Sequence, residues 1–358
     1  MVGAGVIGLS LAIELRKTGI SVLVVEKGEP GREASWAAGG MLADCDLEIP
    51  APLQALATAS AQMYPEFVRE LEEASGLRID LRSEGTLLLA DGHSTSEFQS
   101  RGRGAPGTAG EAPALLSPAA LVELEAALEI RDREAMLLRE RCVDPRSLTS
   151  AAIAAAQHRG VDFSSGDQVL AVEIASGKAS GVHTIKTRFA AGVVVNCAGA
   201  WAGQIAPQAF PTRPVKGQML CVAMPQKDLL RHVIRTPDVY LIPRSDGRLL
   251  IGATQEEAGF DKQIVSTAIQ RLRQAALDLV PKLAEARILE AWAGLRPGTP
   301  DNLPILGATA TPGYYVATGH FRDGILLAPV TAKLMSQVIA GQVPGFDLSA
   351  FSDQRFCN

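Results

Sequence analysis

Apolar and polar positions along the chain alternate between two periods, and their order predicts most of its elements. Residues 6–17 read as a helix ending at Lys17, and Gly19 breaks it. The run Ile20-Ser21-Val22-Leu23-Val24-Val25 that follows is apolar and β-branched, as a buried strand requires. Residues 53–74 return to helical spacing with Pro65 inside it, which predicts two helices or a kink. Glu84-Gly85-Thr86-Leu87-Leu88-Leu89 reads as a strand. Asp144-Pro145 predicts a helix start, with an N-cap acid before proline at the first helical position; the helix runs to Arg159 and Gly160 ends it. Short strands are then expected at 169–174, 181–186, 193–195, 219–222, 239–242 and 249–251, followed by a helix over 264–279. Tyr314-Tyr315-Val316-Ala317 predicts a buried strand, a glycine-containing turn follows, and a helix begins near Gly324 and continues through Ile339. The stretch 92–113, rich in Gly, Ser, Pro and Arg, predicts a surface excursion, with an arginine-glycine tail for nucleic acid as the weaker reading.

The first helix is preceded at once by Gly3-Ala4-Gly5-Val6-Ile7-Gly8, and the strand after it ends in Glu26. Glycine turn, helix, strand and terminal acid stand in the order of a dinucleotide-binding βαβ unit. Glycines let the backbone approach a pyrophosphate at the positive end of the helix, and Glu26 is placed to accept from ribose hydroxyls. The strand that should precede the turn is reduced to Met1 and Val2. Burying one apolar side chain is worth roughly 1.5–3 kcal/mol. Its absence therefore predicts that the natural protein begins several residues upstream; the alternative is that Met1 and Val2 suffice at a rearranged sheet edge.

A length of 358 residues suits about two domains. The net charge of −5, with no basic stripe interleaved with aromatics, argues against nucleic acid or an anionic membrane as partner. No uncharged apolar run reaches membrane-spanning length, and no basic segment precedes the first apolar stretch as in a signal peptide. Cys45, Cys142, Cys197, Cys221 and Cys357 are dispersed without a paired spacing, which fits reduced thiols in a cytoplasm. The five histidines show no ligand spacing, and no metal site is expected.

Five motifs now stand in order: Gly3 to Gly8, Ser35-Trp36-Ala37-Ala38-Gly39-Gly40-Met41-Leu42, Asn196-Cys197-Ala198-Gly199-Ala200-Trp201, Ala293-Gly294-Leu295-Arg296-Pro297-Gly298-Thr299, and Gly319-His320-Phe321-Arg322-Asp323-Gly324. Together they resemble the glycine oxidase branch of the D-amino-acid oxidase family of FAD enzymes, over nearly the whole chain and least over 92–113. The resemblance implies an α/β fold: a Rossmann-like FAD-binding domain (the GR2 type of flavoprotein) with a mixed-sheet α+β substrate domain. The first would be discontinuous, taking 1–77, 146–216 and 293–358, and the second would take 78–145 and 217–292. FAD would meet Gly3, Gly5, Val6, Ile7 and Gly8, then Glu26 and Lys27, then Ser35, Gly40, Met41 and Val169. At the far end it would meet His320, Phe321, Arg322, Asp323, Gly324, Ile325 and Leu326. Some relatives attach the flavin through a cysteine near the position of Arg296; none lies between Cys221 and Cys357, so the FAD should be dissociable. Arg296 and Tyr240 would clamp a substrate carboxylate, with Arg322 close by. The implied reaction is oxidative deamination of glycine, sarcosine or D-alanine with O2, giving the 2-oxo acid, ammonia or amine, and hydrogen peroxide. Its implied use is supplying glycine imine for the thiazole of thiamine, which makes the thiazole synthase a candidate partner. Relatives commonly assemble as homo-oligomers.

The residue types suit that chemistry. The cofactor carries the redox step, so the protein has to orient and to stabilise charge. A guanidinium binds both oxygens of a carboxylate at once, and its charge disfavours a protonated amine nearby. No general base is then required, and no catalytic residue is assigned. Amides of the Gly319–Gly324 turn, at the start of the last helix, would stabilise negative charge on the reduced ring. Each assignment has a structural rival: Arg296 as a tie between strand and loop, Tyr240 as a half-buried strand tyrosine, Arg322 as a cap or a partner of Asp323, His320 as a packing residue. Trp36 and Trp201 read as packing, and Gln255 either borders the substrate site or lies on the surface. Two competing functions remain: a D-amino-acid dehydrogenase with a non-oxygen acceptor, and a catalytically inactive flavin-fold protein.

Overall fold

The computed structural model describes residues 1–45, 49–89, 113–129 and 135–356. The expected excursion at 92–113 lies, up to Pro113, outside the described residues, as does Cys357. A predominantly parallel sheet runs in the order Asp162–Ser165, Leu23–Glu26, Val2, Val194–Asn196, Tyr314–Thr318 and Ile305–Ala308, with only the last strand antiparallel. Alternation buries both of its faces. Val24, Val195 and Ala317 join a core shared with helices Val6–Lys17, Ala51–Ser75, Pro145–His158 and Ala328–Ile339. Val25, Val194 and Val316 face a second core, closed by the antiparallel strands Val169–Ala175, Lys178–Thr184 and Arg188–Ala190.

Val2 is not at a rearranged edge. It occupies the middle of the sheet, bridging Val25 on one side and Asn196 on the other. Its amide donates to the Val195 carbonyl at 2.8 Å, its carbonyl accepts from Cys197 at 2.8 Å, and Met1 O accepts from Val25 at 2.9 Å. Two residues therefore hold the glycine turn to both flanking strands.

A mixed eight-stranded sheet forms the other body, in the order Arg287–Gly298, Arg213–Ala223, Arg248–Gly252, Tyr240–Pro243, Val233–Arg235, Thr86–Leu89, Ala135–Leu138 and Ala114–Leu116. Leu220, Ile234, Leu241 and Ile251 pack with Leu272, Ala276 and Leu279 of the helix Ser266–Leu279. Its two longest strands pair from Arg213↔Gly298 to Ala223↔Arg287. The boundaries expected at 216/217 and 292/293 fall inside these two strands.

Two expectations are corrected. Residues 51–75 form one helix through Pro65, which lies on the exposed side. Pro65 has no amide to donate to the Ala61 carbonyl, which accepts instead from Arg141 Nη1 at 3.2 Å, and burial of Ala61, Tyr64, Val68 and Leu71 holds the helix together. The last regular helix begins at Ala328 rather than near Gly324; residues 324–327 are turns. No helix among the described residues is long and apolar enough to cross a membrane.

Candidate cofactor and substrate site

The helix Val6–Lys17 points its N-terminus into a cavity of about 650 Å³ that extends from Glu26 and Lys27 to Tyr240 and Arg296. Gly5, at the N-cap, has no side chain to satisfy the first amides. Ser35 does it from a distance, its Oγ accepting from the Val6 amide at 2.9 Å. Gly3 adopts φ +96°, and a Cβ there would lie 2.6 Å from the Cys197 carbonyl oxygen, so strand and turn touch only because it is glycine. Gly8 faces the Gly3 carbonyl and does not line the cavity; it serves the closeness of helix and turn.

The Glu26 carboxylate is only 8% exposed. Oε2 accepts from the Ala4 amide at 2.8 Å and Oε1 from the Gly28 amide at 2.9 Å. The acid therefore shapes two turns and also lines the cavity, a place that fits ribose hydroxyls. Lys27 also lines it, with Nζ 3.2 Å from the centre of the Trp201 ring. Burial lowers the Lys27 ammonium's affinity for its proton, offset in part by Glu33 and Glu26. Ser35, Gly40, Met41 and Val169 are cavity walls as expected. Gly40 (φ +82°) lies against the Val143 carbonyl, where no side chain fits.

The Gly319–Ile325 turn closes the far end. Gly319, His320, Phe321, Arg322, Gly324 and Ile325 line the cavity, while Asp323 and Leu326 do not. The Asp323 amide instead donates to His320 O at 2.8 Å, and its carbonyl accepts from Leu327. Phe321 takes φ +45° and donates its amide to Pro297 O at 3.0 Å, tying this turn to the strand carrying Arg296. Two residues that sequence reasoning missed hold it from behind: Tyr64 Oη donates to Ile325 O at 2.5 Å, and Ser60 Oγ to Leu326 O at 2.6 Å. Their only signal was a serine and a tyrosine four apart on an otherwise apolar helix face. His320 is 3% exposed, pairs through Nε2 with Thr331 Oγ1 at 3.1 Å, and burial pushes its pKa down to about 3. It is a neutral packing histidine on the cavity wall.

Arg296 and Tyr240 meet on the large sheet. Arg296 Nη1 donates to the Thr254 carbonyl at 3.1 Å, and the Tyr240 hydroxyl, near that guanidinium, donates to Met219 Sδ at 3.9 Å. Burial pushes the Tyr240 phenol up; the charges of Arg296, Arg322 and Arg235 oppose it. The net shift is upward, so Tyr240 is a protonated donor at neutral pH. Arg235, not anticipated, also lines the cavity, as does the exposed Gln255. Trp36 meets Trp292 edge-on with the Arg146 guanidinium 3.6 Å from its ring centre; Trp201 lies on Phe260 and also lines the cavity. Among the described residues no group of three or more His, Cys, Asp or Glu is placed to hold a metal ion.

A cavity with a glycine-flanked helix N-terminus and a carboxylate at one end, and a guanidinium with a phenol at the other, fits a dinucleotide with a small anionic molecule beyond it. The chain matches the family model described as DAO, FAD dependent oxidoreductase, over residues 1–338. It is 33% identical to a glycine oxidase of Pseudomonas aeruginosa over 98% of this chain and 97% of that protein. To the bifunctional protein ThiO/ThiG of Trichormus variabilis it is 35% identical, over 99% of this chain and 54% of that protein, so it spans about half the length of such relatives. The crystal structure of glycine oxidase from Geobacillus kaustophilus matches with a TM-score of 0.93 at 32% identity, covering 99% of this chain and 97% of that one.

Proposed function

Because the chain belongs to the DAO family of FAD-dependent oxidoreductases, we propose that it oxidises glycine or a similarly small amino acid such as sarcosine or D-alanine. The observation that carries this reading is the Arg296–Tyr240 pair facing the same cavity as Glu26 and the first glycine turn. Bound FAD supplies the two-electron acceptor. The backbone of Gly3 to Ile7, Ser35 and Glu26 would hold its pyrophosphate and ribose, and the Gly319–Ile325 turn would hold its far end. Arg296 orients the substrate through its carboxylate, with Tyr240 as second donor and Arg322 beside them. The guanidinium charge also favours the neutral amine, the form that can be oxidised. Neutral, buried His320 adds no charge there, and no side chain has to act as a base.

The products of this reaction with O2 are the 2-oxo acid, ammonia or amine, and hydrogen peroxide. The likeness to bifunctional ThiO/ThiG proteins supports a further role, supply of glycine imine to a thiazole synthase in thiamine biosynthesis, with that synthase as partner. Homo-oligomeric assembly belongs to the same reading. Peroxide and ammonia yields from glycine, sarcosine and D-alanine in air test it: one peroxide per substrate consumed is expected. Turnover with an artificial acceptor but no peroxide would instead identify a dehydrogenase.

A further inference from the structure

Two strand glycines lie directly against the clamp residues. Neither Gly217 nor Gly252 has a positive φ; Gly217 lies inside the strand Arg213–Ala223, and Gly252 ends the strand Arg248–Gly252, before a cis peptide bond to Ala253. Glycine there costs about 0.5–1 kcal/mol relative to alanine. What distinguishes both positions is the space in front of them. Arg296 pairs with Val215, so Gly217 is its diagonal neighbour on the same face. A Cβ on Gly217 would lie 2.5 Å from Arg296 Nη2 and 2.6 Å from Cζ, with Nη1 also in contact. Tyr240 pairs directly with Gly252, where a Cβ would lie 2.6 Å from Cε2, 2.8 Å from Cζ and 2.9 Å from Oη. In each case the obstructed atoms are the functional tip of the clamp residue, not backbone.

We propose that Gly217 and Gly252 are positioning residues that seat the Arg296 guanidinium and the Tyr240 hydroxyl against the sheet and so set their spacing for a carboxylate. The assignment rests on the clamp reading of Arg296 and Tyr240. The two seats come from different strands, Arg213–Ala223 and Arg248–Gly252, whose register (Met219↔Gly252) fixes the distance between them. Alanine at Gly217 displaces only the end of a flexible side chain, so the fold survives while the guanidinium moves. Displacements of about 1 Å at an oriented group are enough to cost large factors in activity.

The test uses the FAD-loaded protein and acetate as probe, read by perturbation of the visible flavin band. Gly217→Ala should retain FAD and melting temperature, weaken acetate at least tenfold, and raise the KM for glycine more than it lowers kcat. In an Arg296→Met background, whose side chain ends before the guanidinium, Gly217→Ala should change acetate binding less than twofold. If Gly217→Ala loses FAD, adding Arg296→Met must restore it. Unchanged acetate affinity in Gly217→Ala, the same further loss in the Arg296→Met background, no restoration of FAD, or wild-type protein that binds no acetate would each overturn the proposal. Bleaching by glycine is judged separately on wild type: acetate binding without it would reject the glycine reading while leaving the seats to the cycle above.

Discussion

At the scale of single residues, environment decides role more than identity does. His320 stands in a motif that resembles a flavin-contacting turn, yet its imidazole is enclosed and hydrogen-bonded to Thr331. Its native pKa near 3 lies below the value of about 6.5 for an unfolded histidine. As pH falls the unfolded chain takes up the proton first. Native stability is therefore lost between about pH 6.5 and 3, by about 5 kcal/mol at most from this residue. His320→Asn should flatten the pH dependence of the urea midpoint between pH 6.5 and 4 relative to wild type; parallel curves would contradict this. Glu26 shows the complementary case. Its place after an apolar strand made it legible as a ribose acceptor, but its bonds to Ala4 and Gly28 join residues 22 and 2 positions away, and only the folded turn reveals them.

Among the elements, those defined by local chemistry were readable and those defined by distant partners were not. Asp144 caps its helix as expected, its Oδ1 accepting from the Arg146 amide at 3.0 Å, because the cap and its donor lie two residues apart. Ser35 performs the same service for a helix 29 residues away, which no local pattern could signal. Removing that bond should cost the apoprotein about 1 kcal/mol, as loss of a cap does. Ser35→Ala should therefore lower the urea midpoint of apoprotein and weaken FAD severalfold, as followed by recovery of flavin fluorescence on dilution. Wild-type values for both would refute the remote cap. Pro65 left two helices or a kink open, and packing of Tyr64, Val68 and Leu71 decides for one continuous helix. The last helix starts late because Asp323 and Leu327 close a turn first.

For the molecule as a whole, the division into two bodies was an implication of the family resemblance, while periodicity along the chain marked only single helices and strands. The cavity between them was legible only as a set of motifs, since its shape depends on which strands pair. Arg235 and the seats at Gly217 and Gly252 come from the large sheet and carry no signature of their own. The central claim joins both ends of that cavity: flavin on the glycine turn, glycine's carboxylate on Arg296. The most direct test is the anaerobic visible spectrum of the FAD-loaded protein before and after adding glycine. Loss of the oxidised flavin band, absent in Arg296→Met at the same glycine concentration, is the predicted result. A protein that binds FAD and keeps that band unchanged in saturating glycine would contradict the account.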